Sequence, residues 1–252
     1  MAKLRRAWHD AVPGAGAEVS LDLEQSHHVV QVLRLRRGDA LAVFDGRGRE
    51  WDAELLDDRR TGARVRIGAE KLDPVEAPVA VTLFQGLCRP DRMEWVVQKS
   101  TELGVWSVRP IATMRSEGDG PSAERLDRWR RIAREAARQS GRRIVPGISE
   151  VETIPAAASL RGASIVLAPG AEAPLASVLS GPAPPEVHLV VGPEGGLEQG
   201  EVAALEGSGF RRAELGPRIL RTETAGVVAC ALILHAWGDL GSGRPSLPRP
   251  PA

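Results

Sequence analysis

The sequence predicts an α/β protein in which a small β-rich unit precedes helices layered on a mainly parallel sheet. Three observations carry that expectation. Residues 40–55 hold two strand-like runs around a Gly-bearing turn. From Val79 onward, short apolar runs alternate with longer stretches of helical spacing. Two Gly-Pro loops near the C-terminus each follow a strand-like run and lead into a helix-like one, so they fall at the carboxyl ends of strands, where such sheets bind ligands.

In the first unit, residues 1–72, Ser26 is expected to cap a short helix through His27, His28, Val29 and Val30 to Leu33. Ala40–Phe44, the turn Asp45-Gly46-Arg47-Gly48 and Glu50–Leu55 read as a hairpin. Ala63–Ile67 alternates like a half-buried strand. Leu72 to Pro78 holds Pro74 and Pro78 and reads as a linker.

The second unit, residues 73–240, opens with Val79–Phe84 as a buried strand. Arg92–Leu103 has helical spacing and stops at Gly104, a residue suited to a left-handed helix end. Val105–Ile111 is strand-like, and Ser122–Ser140 is a long helix with Gly141 behind it. Ser164–Leu167, Val187–Val191 and the segment before Leu215 are further strands, and Thr222–Trp237 is a largely apolar closing helix. Residues 241–252, rich in Gly, Pro and Ser, are expected to be a disordered tail.

The charge balance is even, with 33 Lys+Arg against 33 Asp+Glu, so no global field draws in an anionic partner. Only Lys3, Lys71 and Lys99 are lysines. Arginine suits bidentate phosphate contact, and a coding bias towards Arg, Ala and Gly explains the same excess. Cys88 and Cys230 lie far apart without C-x-x-C spacing, which argues against a zinc site or a disulfide framework. No apolar signal core follows the basic start and no stretch is long enough for a membrane span, so a cytoplasmic protein is expected.

The first loop is Val191-Gly192-Pro193-Glu194-Gly195-Gly196. Its glycines permit close backbone approach, but it lacks G-x-G-x-x-G and Walker patterns, and Glu194 would repel an anion. By itself it reads more readily as a tight strand–helix connection than as a site. The second loop is Leu215-Gly216-Pro217-Arg218-Ile219-Leu220-Arg221-Thr222-Glu223-Thr224-Ala225. Thr222 as an N-cap with Glu223 in the first turn explains two of its polar residues. It does not explain Arg218 and Arg221 beside Leu215, Ile219 and Leu220, which read as a segment made for burial. Two such loops, close in sequence, are expected to form opposite walls of one small-molecule pocket.

The helix from Ser122 to Arg143 carries eight arginines against Glu124, Asp127 and Glu135. Arg131, Arg134, Arg138 and Arg142 recur at three- and four-residue steps and share a face. Such a face suits RNA phosphates and equally a solvated surface. His27 and His28 have no suitably spaced acidic or Cys partner, so a metal site is not expected. No nucleophile-elbow motif supports Ser/His/Asp chemistry.

Taken together, these segments resemble the RsmE family of ribosomal RNA methyltransferases, of the SPOUT class. The resemblance rests on five ordered blocks. They are His27-His28 to Arg34 with Gly38-Asp39; Asp91-Arg92-Met93-Glu94-Trp95 to Lys99 with Thr101-Glu102-Leu103-Gly104-Val105 and Pro110; Arg128-Trp129 to Arg142 with Pro146; Gly192 to Gly196; and Leu215 to Ala225. It implies a C-terminal SPOUT-type α/β domain with a trefoil knot and an N-terminal PUA-like β-barrel. The implied reaction is N3-methylation of one uridine in 16S rRNA of the small ribosomal subunit, with S-adenosyl-L-methionine as cofactor, in a homodimer without metal or membrane. The implied cofactor walls are Leu167, Ala168 and Pro169; Gly192, Pro193, Gly195 and Gly196; and Leu215, Gly216, Ile219, Leu220 and Arg221. Two departures stand out: Arg89-Pro90 replaces a usual Lys-Gly pair, and Glu198 stands where a small polar cap is usual.

Uridine N3 is protonated at neutral pH, so the reaction needs a base or a cation that stabilises charge on the uracil carbonyls. Arg221 is the expected cation, with Glu194 or Glu223 as base. Arg34, Arg92, Lys99, Arg128, Arg138 and Arg142 are the expected RNA contacts. Two other readings stay open: a SPOUT enzyme acting on another RNA such as tRNA, and a non-catalytic RNA-binding assembly factor.

Overall fold

The computed structural model describes residues 4–73, 75–116, 120–154 and 160–241. The expected tail from residue 242, and Pro74 of the expected linker, lie outside these residues. The chain divides into two units: Met1–Glu76 with Arg134–Val145, and Ala77–Ala133 with Pro146–Ala252.

The first unit contains β1 (Arg6–Trp8), β2 (Glu18–Ser20), α1 (Leu23–His27), a π-helical turn over His28–Val32, β3 (Ala40–Phe44), β4 (Glu50–Leu55) and β5 (Arg64–Glu70). They form one sheet in the order β1-β3-β4-β5-β2. The pairs β3–β4, β4–β5 and β2–β5 are antiparallel, and β1 joins β3 in parallel. Val29, Leu35, Val43, Trp51, Leu55, Val65 and Ile67 form its apolar core. The hairpin falls where the Asp45–Gly48 turn predicts, with Phe44 paired to Glu50. The helix cap is different from the expected one. Asp22 is the N-cap, its Oδ1 accepting from the Gln25 amide at 2.7 Å, and Ser26 lies inside the helix. There the Ser26 hydroxyl donates to the Leu21 carbonyl and accepts from the Ala63 amide, so its side chain ties the helix to the chain before β5.

The second unit begins with β6 (Ala80–Gly86), α2 (Pro90–Leu103), β7 (Ser107–Ile111), α3 (Ala123–Ser140) and β8 (Gly147–Ile148). It continues with β9 (Ala163–Leu167), α4 (Leu175–Val178), β10 (Glu186–Val191), α5 (Gln199–Gly207), β11 (Arg211–Ala213) and α6 (Thr222–Trp237). Pro90 opens α2 at a position where no amide is needed, and Gly104 closes it at φ +111°. The six strands are all parallel, in the order β11-β9-β10-β6-β7-β8. Val81, Leu83, Phe84, Ile165, Val166, Val187, Leu189 and Val190 are fully buried, as expected of strands covered on both faces. From β6 the chain moves outward to β7, whereas from β10 it moves the other way to β11. The crevice between the carboxyl ends of β6 and β10 is therefore a topological switch point.

Helix α3 belongs to both units, its residues from Arg134 onward grouping with the first. The reason is electrostatic. Within the first unit Arg6 reaches Glu50 at 3.1 Å and donates to the carbonyls of Ala137, Arg138 and Arg142. Arg143 reaches Glu50 at 3.1 Å and Asp73 at 2.9 Å, and Arg142 reaches Glu76 at 2.9 Å. Arg134 stacks over the Trp8 ring at 4.7 Å. Burial and the neighbouring Arg143 cation push the Arg6 guanidinium below its ordinary pKa against the opposing pull of Glu50.

Candidate active site

Three loops leave adjacent strands at one edge of the second unit's sheet. β9 lies between β11 and β10, so Ala168-Pro169 after β9, the Gly192 loop after β10 and the Leu215 loop after β11 are neighbours by topology. Ala168 donates its amide to the Ala213 carbonyl at 3.1 Å, and Arg212 donates to the Pro169 carbonyl. These bonds fix the β9 wall against the β11 wall.

The Gly192 loop is tightly packed. An added Cβ on Gly192 would lie 2.8 Å from the Leu197 amide nitrogen, and one on Gly86 would lie 2.5 Å from the nitrogen of Pro193. Gly196 sits at φ +72° and closes a turn by donating to the Pro193 carbonyl at 2.9 Å. Arg115 donates to the Gly195 carbonyl at 2.8 Å, and the Glu201 carboxylate accepts from the amides of Met114 and Glu198 at 2.8 Å. Glu198, the unusual residue after the loop, serves as N-cap of α5.

The Leu215 loop differs in character. The backbone amides and carbonyls from Leu215 to Leu220 make no hydrogen bond to another described residue. Gly216 stands at φ +114°. Ile219 is 98% exposed, which corrects the expectation of a segment made for burial. Backbone groups without protein partners and an exposed apolar side chain can both gain by being covered. Arg218 and Arg221 are exposed, and neither guanidinium has a partner among the described residues.

One chain of hydrogen bonds joins the loops. Thr222, first residue of α6, donates its hydroxyl to the Gly192 carbonyl at 2.5 Å and accepts from Gln85 Nε2 at 2.8 Å. Gln85, at the end of β6, is fully buried. No motif in the sequence marked Gln85. A buried glutamine closing an apolar strand just before Gly86 is the signal that could have found it.

The candidate carboxylates lie together. Glu194 Oε1 accepts from the Arg89 amide and from Arg92 Nη1, both at 3.0 Å, and Arg92 Nε lies 3.8 Å from Glu223. Glu223 is the less exposed of the two, and its Oε2 is buried without a hydrogen-bond partner. Cys88 stands beside them. Burial, then the Glu194 and Glu223 charges, push its thiol up to about 12, so it is no thiolate nucleophile at neutral pH.

The expected RNA contacts are divided by the structure. Arg34 is exposed, at the unusual φ of 58° for a non-glycine residue. Arg128 is exposed and paired with Glu94 at 2.6 Å, and Lys99 is paired with Glu102 at 2.8 Å. Arg138 and Arg142 are only 8% and 5% exposed. Arg138 pairs with Glu135 and contacts His28, while Arg142 holds Glu76, so these two members of the shared face turn onto their own unit, whereas Arg131 is exposed. Sequence periodicity finds a common face but not what covers it. Among the described residues no His/Cys/Asp/Glu group could hold a metal ion, and no helix is long and apolar enough to cross a membrane. Cavities of about 450 and 430 Å³ lie near Thr113 and Glu150 and beside α5, and no residue of the Leu215 loop lines them.

A parallel sheet with three loops at the carboxyl ends of adjacent strands, preceded by a small sheet, belongs here to an RNA methyltransferase with a PUA domain, as two family models show. Residues 75–234 match the RNA methyltransferase domain family, and residues 21–68 match the RNA methyltransferase PUA domain. The ribosomal RNA small subunit methyltransferase E of Synechocystis is 33% identical over 223 residues, covering 86% of this chain and 73% of its own. That of Bacillus subtilis is 32% identical, covering 86% and 89%. A crystal structure of the Neisseria gonorrhoeae enzyme of that name, bound to S-adenosyl methionine, superposes with a TM-score of 0.86 at 31% identity, covering 94% of this chain and 99% of that one. The chain belongs to the ribosomal RNA small subunit methyltransferase E family.

Proposed function

We propose that the protein methylates N3 of a single uridine in 16S rRNA, using S-adenosyl-L-methionine held by the three loops. The observation that carries this reading is the Thr222 hydroxyl bonded to the Gly192 carbonyl, which brings together the two loops the sequence singles out. Leu167, Ala168 and Pro169, Gly192 to Gly196, and Leu215 to Leu220 would hold the cofactor. The fit rests on the unbonded Leu215–Leu220 backbone, which leaves donors and acceptors open to a polar ligand, and on the glycines that keep the opposite wall close. When bound, the cofactor supplies an activated methyl group on a cationic sulfur.

The chain's own residues contribute the rest. Arg221, exposed, without a partner among the described residues and one residue before α6, would stabilise negative charge on the uracil carbonyls. Glu194 or Glu223 would accept the N3 proton. Arg92 touches both carboxylates, so its part is to hold them in place as well as to meet RNA. Arg34, Lys99 and Arg128 remain the RNA contacts. The trefoil knot and the homodimer belong to the same reading. The exposed Trp95 on α2 with Val228 and Leu232 on α6 supports the homodimer. An RNA substrate of this kind places the work in the cytoplasm.

Mass mapping of 16S rRNA from cells with and without the gene tests the target: one N3-methyluridine should vanish. Loss of a transfer-RNA modification instead would favour the other SPOUT reading, and no loss would favour an assembly factor. Arg221→Ala should leave cofactor binding within about threefold and cut turnover on the order of a hundredfold. Unchanged turnover would remove Arg221 from the mechanism.

A further inference from the structure

The switch-point crevice between β6 and β10 is where an open α/β sheet ordinarily takes its ligand. Here the start of α6 occupies it, and the filling is polar at the centre. Gln85 Nε2 donates to Thr222 Oγ1 at 2.8 Å and to the Gly86 carbonyl at 3.3 Å, and the Thr222 hydroxyl donates to the Gly192 carbonyl at 2.5 Å. Two glycines make room for this group. A Cβ on Gly226 would lie 2.8 Å from Gln85 Oε1, and a Cβ on Gly86 would strike the backbone of Pro193.

We propose that Gln85 is a positioning residue that locks the two cofactor loops into one rigid clamp by fixing the direction of the Thr222 hydroxyl. The direction follows from donor and acceptor counting. The Gly86 carbonyl can only accept, so the amide must turn its NH2 towards it and towards Thr222. Thr222 Oγ1 then accepts from Gln85, and its own proton must go elsewhere. The Gly192 carbonyl is the acceptor in reach. Turning the amide over would set Oε1 against the Gly86 carbonyl, two acceptors facing, and would draw the hydroxyl proton away from Gly192. In the observed orientation Oε1 is buried without a conventional donor. It lies against Gly226, where the missing side chain leaves only weak Cα–H contact. That unpaired oxygen is the cost of a fixed orientation, and a merely space-filling residue would not carry it.

The clamp acts on binding because its ends are the pocket walls. Gly192 begins the loop that turns at Gly195 and Gly196, and Thr222 directly follows Leu220 and Arg221. With the latch closed, these walls are held at one separation before any ligand arrives, and less ordering is left for binding to supply. The inference rests on the cofactor reading above for its ligand, but its mechanical part stands on the hydrogen bonds alone.

Two measurements on the full chain test it. The first is amide hydrogen exchange without ligand. The hydrogen-bonded amides of Gly196 and Ala225 should show matching protection in the wild-type protein, because one opening event frees both. In Thr222→Val, which keeps the shape and loses the hydroxyl, both groups should exchange at least tenfold faster. Independent exchange in the wild type, or an unchanged rate in the variant, overturns the clamp. The second is calorimetric binding of S-adenosylmethionine. Thr222→Val and Gly226→Ala, which displaces Gln85 without altering any bonded group, should each raise Kd about tenfold, while Thr222→Ser restores it to within about twofold. A role in stability alone would lower the melting temperature of the variants with Kd unmoved, and that result also overturns the proposal. Absence of wild-type binding would instead sink the cofactor reading, and the exchange rates would still decide the clamp.

Discussion

Replacing Glu50 with glutamine probes the buried ion cluster that draws the end of α3 into the first unit. Glu50 accepts from Arg6 Nε at 3.1 Å and Nη2 at 3.3 Å and from Arg143 Nε at 3.1 Å, with Lys71 Nζ 3.5 Å away. Arg6, Glu50 and Arg143 are each 5% exposed or less, so solvent cannot compensate a missing charge. Glutamine keeps the size but removes the negative charge and leaves two guanidiniums buried beside each other. Breaking a buried pair in this way costs roughly 3–5 kcal/mol. With a urea slope of about 2 kcal/mol/M, the unfolding midpoint should fall by roughly 2 M.

The control is Glu70→Gln, whose pair with Arg49 lies at the surface and should contribute under about 1 kcal/mol. The acid limb gives a second reading. Burial alone would raise the Glu50 carboxyl, but the Arg6 charge and the Arg6 and Arg143 hydrogen bonds outweigh it and hold its pKa below the usual glutamate range. A depressed carboxyl contributes stability above its unfolded pKa, and that stability is lost as pH falls through the folded value. The wild type should therefore lose stability in acid, and Glu50→Gln should lose less of it. Equal midpoints for the two glutamine variants at neutral pH would refute the reasoning.

Three further outcomes follow from the same geometry. Gly86→Ala places a Cβ against the backbone of Pro193, so the Gly192 loop must move; calorimetry should show cofactor binding weaker by about 1–3 kcal/mol. Arg34→Gln and Arg128→Gln should each flatten the salt dependence of RNA binding by about 0.7–0.9 in log–log slope, one phosphate contact apiece. Arg142→Gln should leave that slope alone and lower the unfolding midpoint, since its partner is Glu76 and not RNA.

Much of this was legible without coordinates. The hairpin follows from Gly46 and Gly48 between alternating strands, and the end of α2 from Gly104, because each depends on residues adjacent in sequence. Thr222–Trp237 was read to the residue, since Gly and Pro punctuate the loop before it. Small elements escaped. β8 is two residues long and α4 four, too short to show a period. The cap of α1 is Asp22 and not the expected Ser26, because both residue types cap helices and only packing against Ala63 decides between them.

At the site, the sequence by itself singled out two loops and identified the family, because glycine spacing and ordered motifs are one-dimensional properties. Only the tertiary structure decided what those residues face. Arg138 and Arg142 share a helical face with the right period for RNA, yet they pair with Glu135 and Glu76. Ile219, apolar and beside Leu220 in sequence, stands in solvent because no described residue packs over it. Gln85 belongs to no pocket loop, yet it bonds Thr222, which is 137 residues away. Periodicity reports direction from a helix or strand axis, whereas pairing and burial depend on what folding brings to that side.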